Sequence, residues 1–261
     1  TPQGGIISPV LANIALDGLQ RELETLFHTV RQARAAKVNL VRYADDFVIT
    51  GSSKELLENE VRPLVEKFLA TRGLVLSEKK TKITHVTEGF DFLGWNVRYF
   101  KRMLLTRPSK KNAKAFLDKI RAALGGLKSA AQAEVIDKLT PVIRGWANYH
   151  RSQMATLTFS KCDHQIWQAL WRWACRRHPN KGKRWIKQRY FVRLKGRDWR
   201  FSEKDKLLPV LRGYRKRPHV KIKGEANPYD PMYDEYFSKR LARKMDGALE
   251  GRRKLRWLWW W

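Results

Sequence analysis

The chain has 261 residues, of which 43% are hydrophobic, and its formal net charge is +29. That basic excess argues against an ordinary cytosolic enzyme and indicates a polyanionic partner, with nucleic acid as the default. No apolar run is long enough to cross a bilayer and no signal peptide is visible, so we expect no membrane partner. Cys162 and Cys175 lack metal-ligand spacing, and we interpret them as reduced thiols of a cytoplasmic protein.

The charge is unevenly distributed along the chain. Residues 1–100 carry 13 Lys+Arg and 12 Asp+Glu, whereas the remaining residues carry 41 and 13. Trp95 is the only tryptophan of the first hundred residues, and the other ten come later. We therefore expect a nearly neutral N-terminal unit followed by a strongly basic one.

The first hundred residues show helical and strand patterns in alternation. Apolar residues between positions 10 and 30 recur at helical spacing and predict a helix that Ser8 caps, with Pro9 at its first position. A second helix is predicted after Ser52 or Ser53 and ends at Gly73. Short strands are then predicted at 74–76, 83–86 and 90–97. This order predicts an α+β fold, an antiparallel sheet with helices on one face.

Two adjacent acids, Asp45 and Asp46, interrupt the apolar, β-branched run 41–49. The run predicts strand, tight turn and strand. A buried carboxylate is costly unless it is paired or metal-bound, and two neighbouring carboxylates repel each other. Oxygen-only ligands select a hard cation such as Mg²⁺. From these residues alone, a hairpin with a merely acidic turn remains the alternative.

Four motifs occur in a characteristic order in this part of the chain. They are Pro2-Gln3-Gly4-Gly5-Ile6-Ile7-Ser8-Pro9 with Leu11 and Asn13, then Tyr43-Ala44-Asp45-Asp46, then Leu76-Ser77 with Lys80-Thr81, and finally Phe92-Leu93-Gly94. Their order and spacing resemble the palm of reverse transcriptases, in particular those encoded by group II introns. The resemblance covers residues 1–100.

The resemblance implies an RNA-directed DNA polymerase, a nucleotidyltransferase that uses Mg²⁺. Asp45 and Asp46 would hold the catalytic metal at the hairpin tip, with Asp45 as the more direct ligand. The metal would activate the primer 3′-hydroxyl and stabilise the leaving pyrophosphate. The implied partners are an RNA template, a DNA primer and dNTPs.

The resemblance also implies roles for the flanking motifs. Gln3 and Gly4 would lie beside the incoming nucleotide and the template, together with Tyr43, although an ordinary turn is the alternative for the first two. Lys80 would stand near the triphosphate, with a solvated basic loop as an equal alternative. Three residues would support the primer terminus as a primer grip, and the first two of them could serve the core as well: Phe92, Leu93 and Gly94.

The same family uses a third metal-binding Asp and a fingers region, which we expect upstream of Thr1. We therefore interpret the chain as a fragment and do not expect it to polymerise alone.

The basic half predicts a helical bundle. Helices are predicted from Ser109 to Gly125-Gly126, around Val135 to Leu139, from Pro141 onward, and near 159–174. The segments 144–151 and 171–181 are similar to the maturase-specific region of group II intron proteins, which acts as the polymerase thumb and grips intron RNA. We expect Trp146, Trp167 and Trp171 in the core. RNA contacts are expected from Arg144, Arg151, Arg176, Arg177 and Lys181.

We thus divide the chain into a palm (1–100), a thumb and maturase region (101–190) and a basic C-terminal region (191–261), where His219 to Lys223 predicts a strand. The implied function is reverse transcription together with maturase assistance to group II intron splicing and mobility. Two alternatives remain: a non-catalytic RNA-binding splicing factor with a vestigial polymerase half, or a relative that serves another retroelement or a defence system. We expect a bacterial cytoplasmic location, with an organelle as the alternative.

Overall fold

The computed structural model describes residues 7–194, 196–218, 221–224 and 226–249, with the backbone alone for Arg197 and 243–249. It divides into two units, residues 1–217 and 218–261. The larger unit combines helices with small antiparallel sheets, so the α+β class is confirmed at this level.

The apolar stretch 10–30 forms three short helices rather than one. These are α1 (Ser8–Ala15), α2 (Leu19–Thr25) and α3 (Val30–Ala36). Gly18 separates the first two with a φ of +88°, and Thr29 starts the third with a reciprocal capping box to Gln32. Ser8 lies inside α1, makes no capping hydrogen bond and is preceded by Ile7 as the N-cap, so its predicted capping role was wrong.

A hairpin and a long helix complete the first core. Strand β1 (Asn39–Tyr43) pairs antiparallel with β2 (Asp46–Thr50) as a two-stranded sheet. Helix α4 (Lys54–Leu56), which Ser53 caps, continues through a π-helical turn (Leu57–Val61) into α5 (Arg62–Ala70). The N-terminal core is formed by Leu16, Leu19, Leu23, Val61, Val65, Phe68 and Leu69.

The strands predicted at 74–76 and 83–86 were wrong, because these segments have no regular structure. Residues 74–76 follow Gly73, whose φ is +68°, and Leu76 packs against the N-terminal core without a strand partner. A separate three-stranded sheet follows instead. It consists of β3 (Phe90–Phe92), β4 (Trp95–Phe100) and β5 (Met103–Pro108).

Four helices build the C-terminal core. They are α6 (Lys110–Gly126), α7 (Gln132–His150), α8 (Thr156–Arg177) and α9 (Lys183–Tyr190). Helix α6 begins beside Ser109, as predicted, and the Ser109 hydroxyl caps it by accepting the Asn112 amide. Pro141 lies inside α7 rather than opening a new helix, and the buried residues of α7 keep helical spacing on both sides of it, from Val135 to His150.

A second three-stranded sheet extends this core, with β6 (Phe191–Leu194), β7 (Arg197–Glu203) and β8 (Lys206–Leu207). A 3₁₀ turn (Leu211–Gly213) follows, and its first residue is fully buried. Asp163 fixes this turn, because its carboxylate accepts the amides of Leu211 and Arg212 at 2.7 and 2.9 Å. The C-terminal core therefore runs from Phe116 to Leu211.

The smaller unit contains a 3₁₀ turn (Pro231–Tyr233) and helix α10 (Asp234–Leu249). The Tyr236 hydroxyl accepts the amide of Lys223 at 3.1 Å. His219 lies outside the described residues, and 221–223 has no strand structure. Within the described ranges, every helix is too short or too polar to cross a bilayer.

Candidate functional site

The two acids stand at the tip of the β1–β2 hairpin. Tyr43 pairs with Asp46, which leaves Ala44 and Asp45 as a two-residue loop. Ala44 has a φ of +52°, a conformation that residues with a Cβ adopt at a cost. The predicted hairpin is confirmed. Both carboxylates are exposed, so the burial cost considered for this pair does not arise.

The hairpin is anchored at its base and open at its tip. Leu40, Phe47 and Ile49 pack against the N-terminal core. The Arg42 guanidinium donates to the Asn13 side-chain oxygen of α1 at 3.1 Å. Tyr43 is 66% exposed. The sequence therefore holds the strands in place while leaving the side chains of Tyr43, Asp45 and Asp46 accessible from solvent.

The donor chemistry of the tip fits Mg²⁺, because Asp45 and Asp46 offer only carboxylate oxygens. Mg²⁺ keeps several waters and is usually bound by one or two carboxylates together with substrate phosphates. No cluster of three or more His, Cys, Asp or Glu residues suited to a metal occurs within the described ranges. Asp45 and Asp46 would supply two ligands of the implied metal site.

Apart from Tyr43, Lys80 is the one residue predicted at the nucleotide side that the structure describes. Gln3 and Gly4 lie outside the described residues. Lys80 ends a turn in which its amide donates to the carbonyl of Ser77 at 3.0 Å, and its side chain is exposed. In the part of the chain that the structure describes, no hydrogen bond or ion pair connects Lys80 with either aspartate.

The predicted primer-grip residues lie where β3 turns into β4, with Phe92 ending β3 and Leu93 and Gly94 forming the turn. Leu93 and Gly94 have positive φ values of +48° and +79°. A Cβ on Gly94 would lie 2.8 Å from the Asn112 amide nitrogen, so any other residue would force Asn112 to shift in addition to adopting an unfavourable φ. The Gly94 carbonyl accepts the Ser109 amide at 3.0 Å, and the Leu93 carbonyl accepts the Tyr149 hydroxyl at 2.7 Å.

Asn112 is the centre of a polar cluster behind this turn. Its side-chain oxygen accepts hydrogen bonds from Trp146 Nε1 at 2.7 Å and from His150 Nε2 at 2.9 Å. Because the indole nitrogen only donates, the amide oxygen must face it, and the histidine then carries its proton on Nε2. His150 is fully buried, and burial lowers its pKa from 6.5 to about 4. The cluster therefore contains a neutral imidazole.

Sequence reasoning did not assign Asn112 or His150 to any site. Trp146 and His150 are four residues apart on α7, so they share one helix face. That spacing was readable from the sequence, whereas the partner on α6 was not.

The five predicted RNA-binding residues divide into two groups. Arg144, Arg176 and Lys181 are exposed. Arg177 donates to the carbonyls of Lys128 and Ala130 at 3.2 and 2.6 Å, and Arg151 donates to the Asn148 side chain at 3.2 Å. The two engaged guanidinium groups stabilise the local fold, and RNA contact by any of the five stays a prediction.

The tryptophans expected in the core lie at its border. Trp146, Trp167 and Trp171 are partly buried and pack against the C-terminal core. The rings of Trp167 and Trp171 stack at 6.4 Å. Among the tryptophans that the structure describes, Trp173 is the buried one at 2% exposure, and its Nε1 donates to the Leu127 carbonyl at 2.7 Å.

Comparisons with known families match most of the larger unit. The family model for reverse transcriptase (RNA-dependent DNA polymerase) matches residues 1–97. The model for the group II intron maturase-specific domain matches residues 113–191. The first match contains the aspartate hairpin and the turn at Gly94, and the second contains helices α7 and α8.

Three curated proteins illustrate the similarity. Maturase-like protein 1 of Euglena gracilis is 27% identical over 157 residues, 59% of this chain and 31% of that protein. Protein YkfC of Escherichia coli is 30% identical over 155 residues, which cover 47% of this chain and 40% of that protein. Group II intron-encoded protein LtrA of Lactococcus lactis subsp. cremoris is 24% identical over 215 residues, which cover 60% of this chain and 36% of that protein.

The aligned part thus spans about a third of the length of these relatives. The two family models lie in the order that the sequence motifs predicted, and the similar proteins include a maturase-like protein and a group II intron-encoded protein. The chain thus combines a segment of the reverse transcriptase family with a segment of the group II intron maturase-specific domain family.

Proposed function

We propose that the protein is an RNA-directed DNA polymerase that also acts as a maturase for a group II intron. The observation that carries the proposal is the exposed aspartate pair at the β1–β2 tip, inside a segment that matches the reverse transcriptase model. Its substrates would be dNTPs on an RNA template with a DNA primer. Its second partner would be the intron RNA.

In this proposal residues 1–100 are the palm and residues 101–190 are the thumb and maturase region, followed by a basic C-terminal region at 191–261. The separation of the N-terminal core from the C-terminal core supports the first division. The excess of 41 basic over 13 acidic residues after position 100 supports nucleic-acid contact by the later regions.

Asp45 and Asp46 would hold Mg²⁺ together with a third carboxylate from upstream of Thr1. Bound there, the metal would lower the pKa of the primer 3′-hydroxyl and neutralise charge on the departing pyrophosphate. The hairpin would position both carboxylates, because the paired strands fix the backbone on either side of the loop that carries them. Tyr43, Gln3 and Gly4 would border the nucleotide and template, and Lys80 would balance triphosphate charge.

Phe92, Leu93 and Gly94 would support the primer terminus. The hydrogen bonds from Ser109 and Tyr149 to this turn support the assignment, because they tie it to α6 and α7. A primer support must hold its backbone within a fraction of an ångström for in-line attack. The polar cluster around Asn112 would supply that rigidity.

The maturase role would be binding without covalent chemistry. Arg144, Arg176 and Lys181 offer exposed cations to RNA phosphates, with Arg151 and Arg177 beside them on the same helices or their ends. Such contacts would stabilise the folded intron and weaken steeply as salt concentration rises.

Primer extension on an RNA template with Mg²⁺ tests the polymerase half. Three forms are compared: this chain, a form lengthened upstream of Thr1 to supply the fingers and third carboxylate, and the lengthened form with Asp45→Ala. We expect extension by the unmutated lengthened form alone. If no form extends the primer while structured intron RNA still binds tightly, the polymerase proposal is wrong and a non-catalytic splicing factor is favoured.

A further inference from the structure

A basic groove of about 860 Å³ lies between the β3–β4–β5 sheet and helices α6 and α8. Four of its cations come from three separate elements. They are Arg107 on β5, Lys110 and Lys114 on α6, and Lys161 on α8. None of them belongs to the RNA-binding set predicted from the sequence, so the groove is a different surface from the one that those five residues would form. We call these four residues the groove cations.

The groove cations are available for a ligand. All four are exposed, and within the described ranges none has a side-chain hydrogen bond or an ion pair. The neighbouring guanidinium groups differ. Arg98 donates to the Thr87 carbonyl at 2.7 Å, and Arg121 pairs with Asp118 at 2.7 Å and donates to Gln165 at 2.6 Å.

A cross-strand row gives the groove a direction. Asp91 of β3 pairs with Asn96 of β4, and Asn96 pairs with Arg107 of β5. The Asp91 carboxylate accepts from the Asn96 amide at 2.8 Å. The row therefore passes from an acid, through an amide, to a free base. An anion is repelled at the β3 edge and attracted towards β5 and α6.

The start of α6 adds to the positive potential. Its first turn contains Lys110 and Lys111 and no acidic residue. Cations at a helix N-terminus are unfavourable because the helix dipole is positive there. An anionic ligand in the groove would neutralise these lysines and interact favourably with the positive end of the helix dipole.

We propose that this groove binds the sugar–phosphate backbone of a nucleic acid strand through the groove cations. The assignment rests on the proposed function, because it takes nucleic acid as the ligand of the chain. The groove is larger than one phosphate group requires, and its cations are spread over a strand and two helices. Asn96, Thr158 and Gln165 also line it and offer polar groups to sugar and phosphate oxygens.

The test uses the whole chain with Lys114→Gln and Lys161→Gln combined. Lys119→Gln with Lys138→Gln is the matched control, since it removes the same charge from exposed lysines outside the groove. The probes are a fluorescein-labelled single-stranded RNA of mixed sequence and the same RNA annealed to DNA. Anisotropy gives Kd across a series of salt concentrations, and circular dichroism confirms that each variant is folded.

We expect the groove variant to bind at least one probe roughly tenfold more weakly at 0.1 M salt. The slope of log affinity against log salt should fall by about 1 per lysine removed. The control variant should retain most of its affinity. The pair Lys114→Arg with Lys161→Arg should bind like the unmutated chain, because the charge is kept.

Two results would overturn the proposal, and they differ in meaning. Equal affinity and equal salt slope for the groove and control variants would show that the groove does not hold the backbone, while the proposed function stands. If the unmutated chain binds neither probe, the nucleic-acid function itself fails along with the groove assignment.

Discussion

The hydroxyl of Tyr149, on α7, donates a hydrogen bond of 2.7 Å to the carbonyl oxygen of Leu93. The two residues are 56 positions apart and belong to the two segments that match different family models. The turn with the predicted primer-grip residues is thus held by a helix of the maturase-specific segment. We infer that changes in α7 act on this turn through a defined contact.

Tyr149→Phe should loosen the turn without removing the aromatic ring. One hydrogen bond is lost at a half-exposed position, so the free energy of unfolding should fall by about 0.5–1.5 kcal/mol. Primer extension by the lengthened form should lose primer affinity more than turnover. Tyr99→Phe is the control, because Tyr99 is exposed and its hydroxyl has no partner in the described part of the chain. Equal effects of both variants would contradict the role of Tyr149.

Asn112→Ala should be more destabilising than an ordinary surface change. It leaves the Trp146 indole N–H and the His150 N–H without their acceptor inside the protein. Each unsatisfied donor costs about 1–3 kcal/mol, so a total loss of about 2–6 kcal/mol is expected in urea unfolding. Lys111→Ala, the exposed neighbour on the same helix, should change stability by less than about 0.5 kcal/mol. A loss no larger than that control would show that the cluster adds nothing.

The stability losses of Gly94→Ala and Gly73→Ala, compared with each other, separate the cost of backbone strain from the cost of a steric clash with Asn112. Both glycines have positive φ, +79° and +68°. A Cβ on Gly73 meets nothing within 4 Å, whereas one on Gly94 meets Asn112 Nδ2 at 2.8 Å. Gly73→Ala should cost about 1–2 kcal/mol from the left-handed backbone alone. Thermal unfolding should show a larger loss for Gly94→Ala, and similar losses would mean that Asn112 yields freely.

The depressed pKa of His150 predicts acid sensitivity. Its pKa is about 4 in the folded protein, because burial disfavours the imidazolium, and 6.5 in the unfolded chain. The unfolded state therefore binds more protons between these values. Stability should be fully present above pH 6.5 and should fall as pH drops towards 4, by up to about 3 kcal/mol.

The measurement is urea unfolding at pH 7, 5.5 and 4.5. His150→Gln should lower stability at pH 7 and flatten the pH dependence, since no proton is taken up on unfolding at this position. His164→Gln is the matched control, because His164 is exposed on α8. An unchanged pH profile in His150→Gln would contradict the assignment.

Local patterns predicted the parts of the molecule whose determinants are close in sequence. The hairpin followed from β-branched residues around two acids, and the start of α6 from Ser109. Helix α7 was wrongly predicted as two helices, because a proline is typical of the first turn of a helix and Pro141 was therefore taken as the start of a second one. Here the buried spacing continues across it, and the lost backbone bond falls on an exposed position.

The long-range contacts were beyond the reach of sequence reasoning. The partners of Asn112 are 34 and 38 residues away, and the engagement of Arg177 joins α8 to the loop after α6. Its charge and the similarity of its segment to the maturase-specific region assigned Arg177 to RNA, whereas in the structure its guanidinium donates to two backbone carbonyls. The groove cations were missed for the same reason, since a strand and two helices bring them together.

The most direct test of the central claim compares two acids in similar hairpins. Asp45 and Asp205 each lie in a two-residue loop after a residue of positive φ, Ala44 and Lys204. In the lengthened form, Asp45→Asn should abolish RNA-templated primer extension with Mg²⁺ while leaving primer–template affinity largely intact. Asp205→Asn should extend the primer at the unmutated rate. Normal extension by Asp45→Asn would contradict the assignment of this hairpin as the polymerase site.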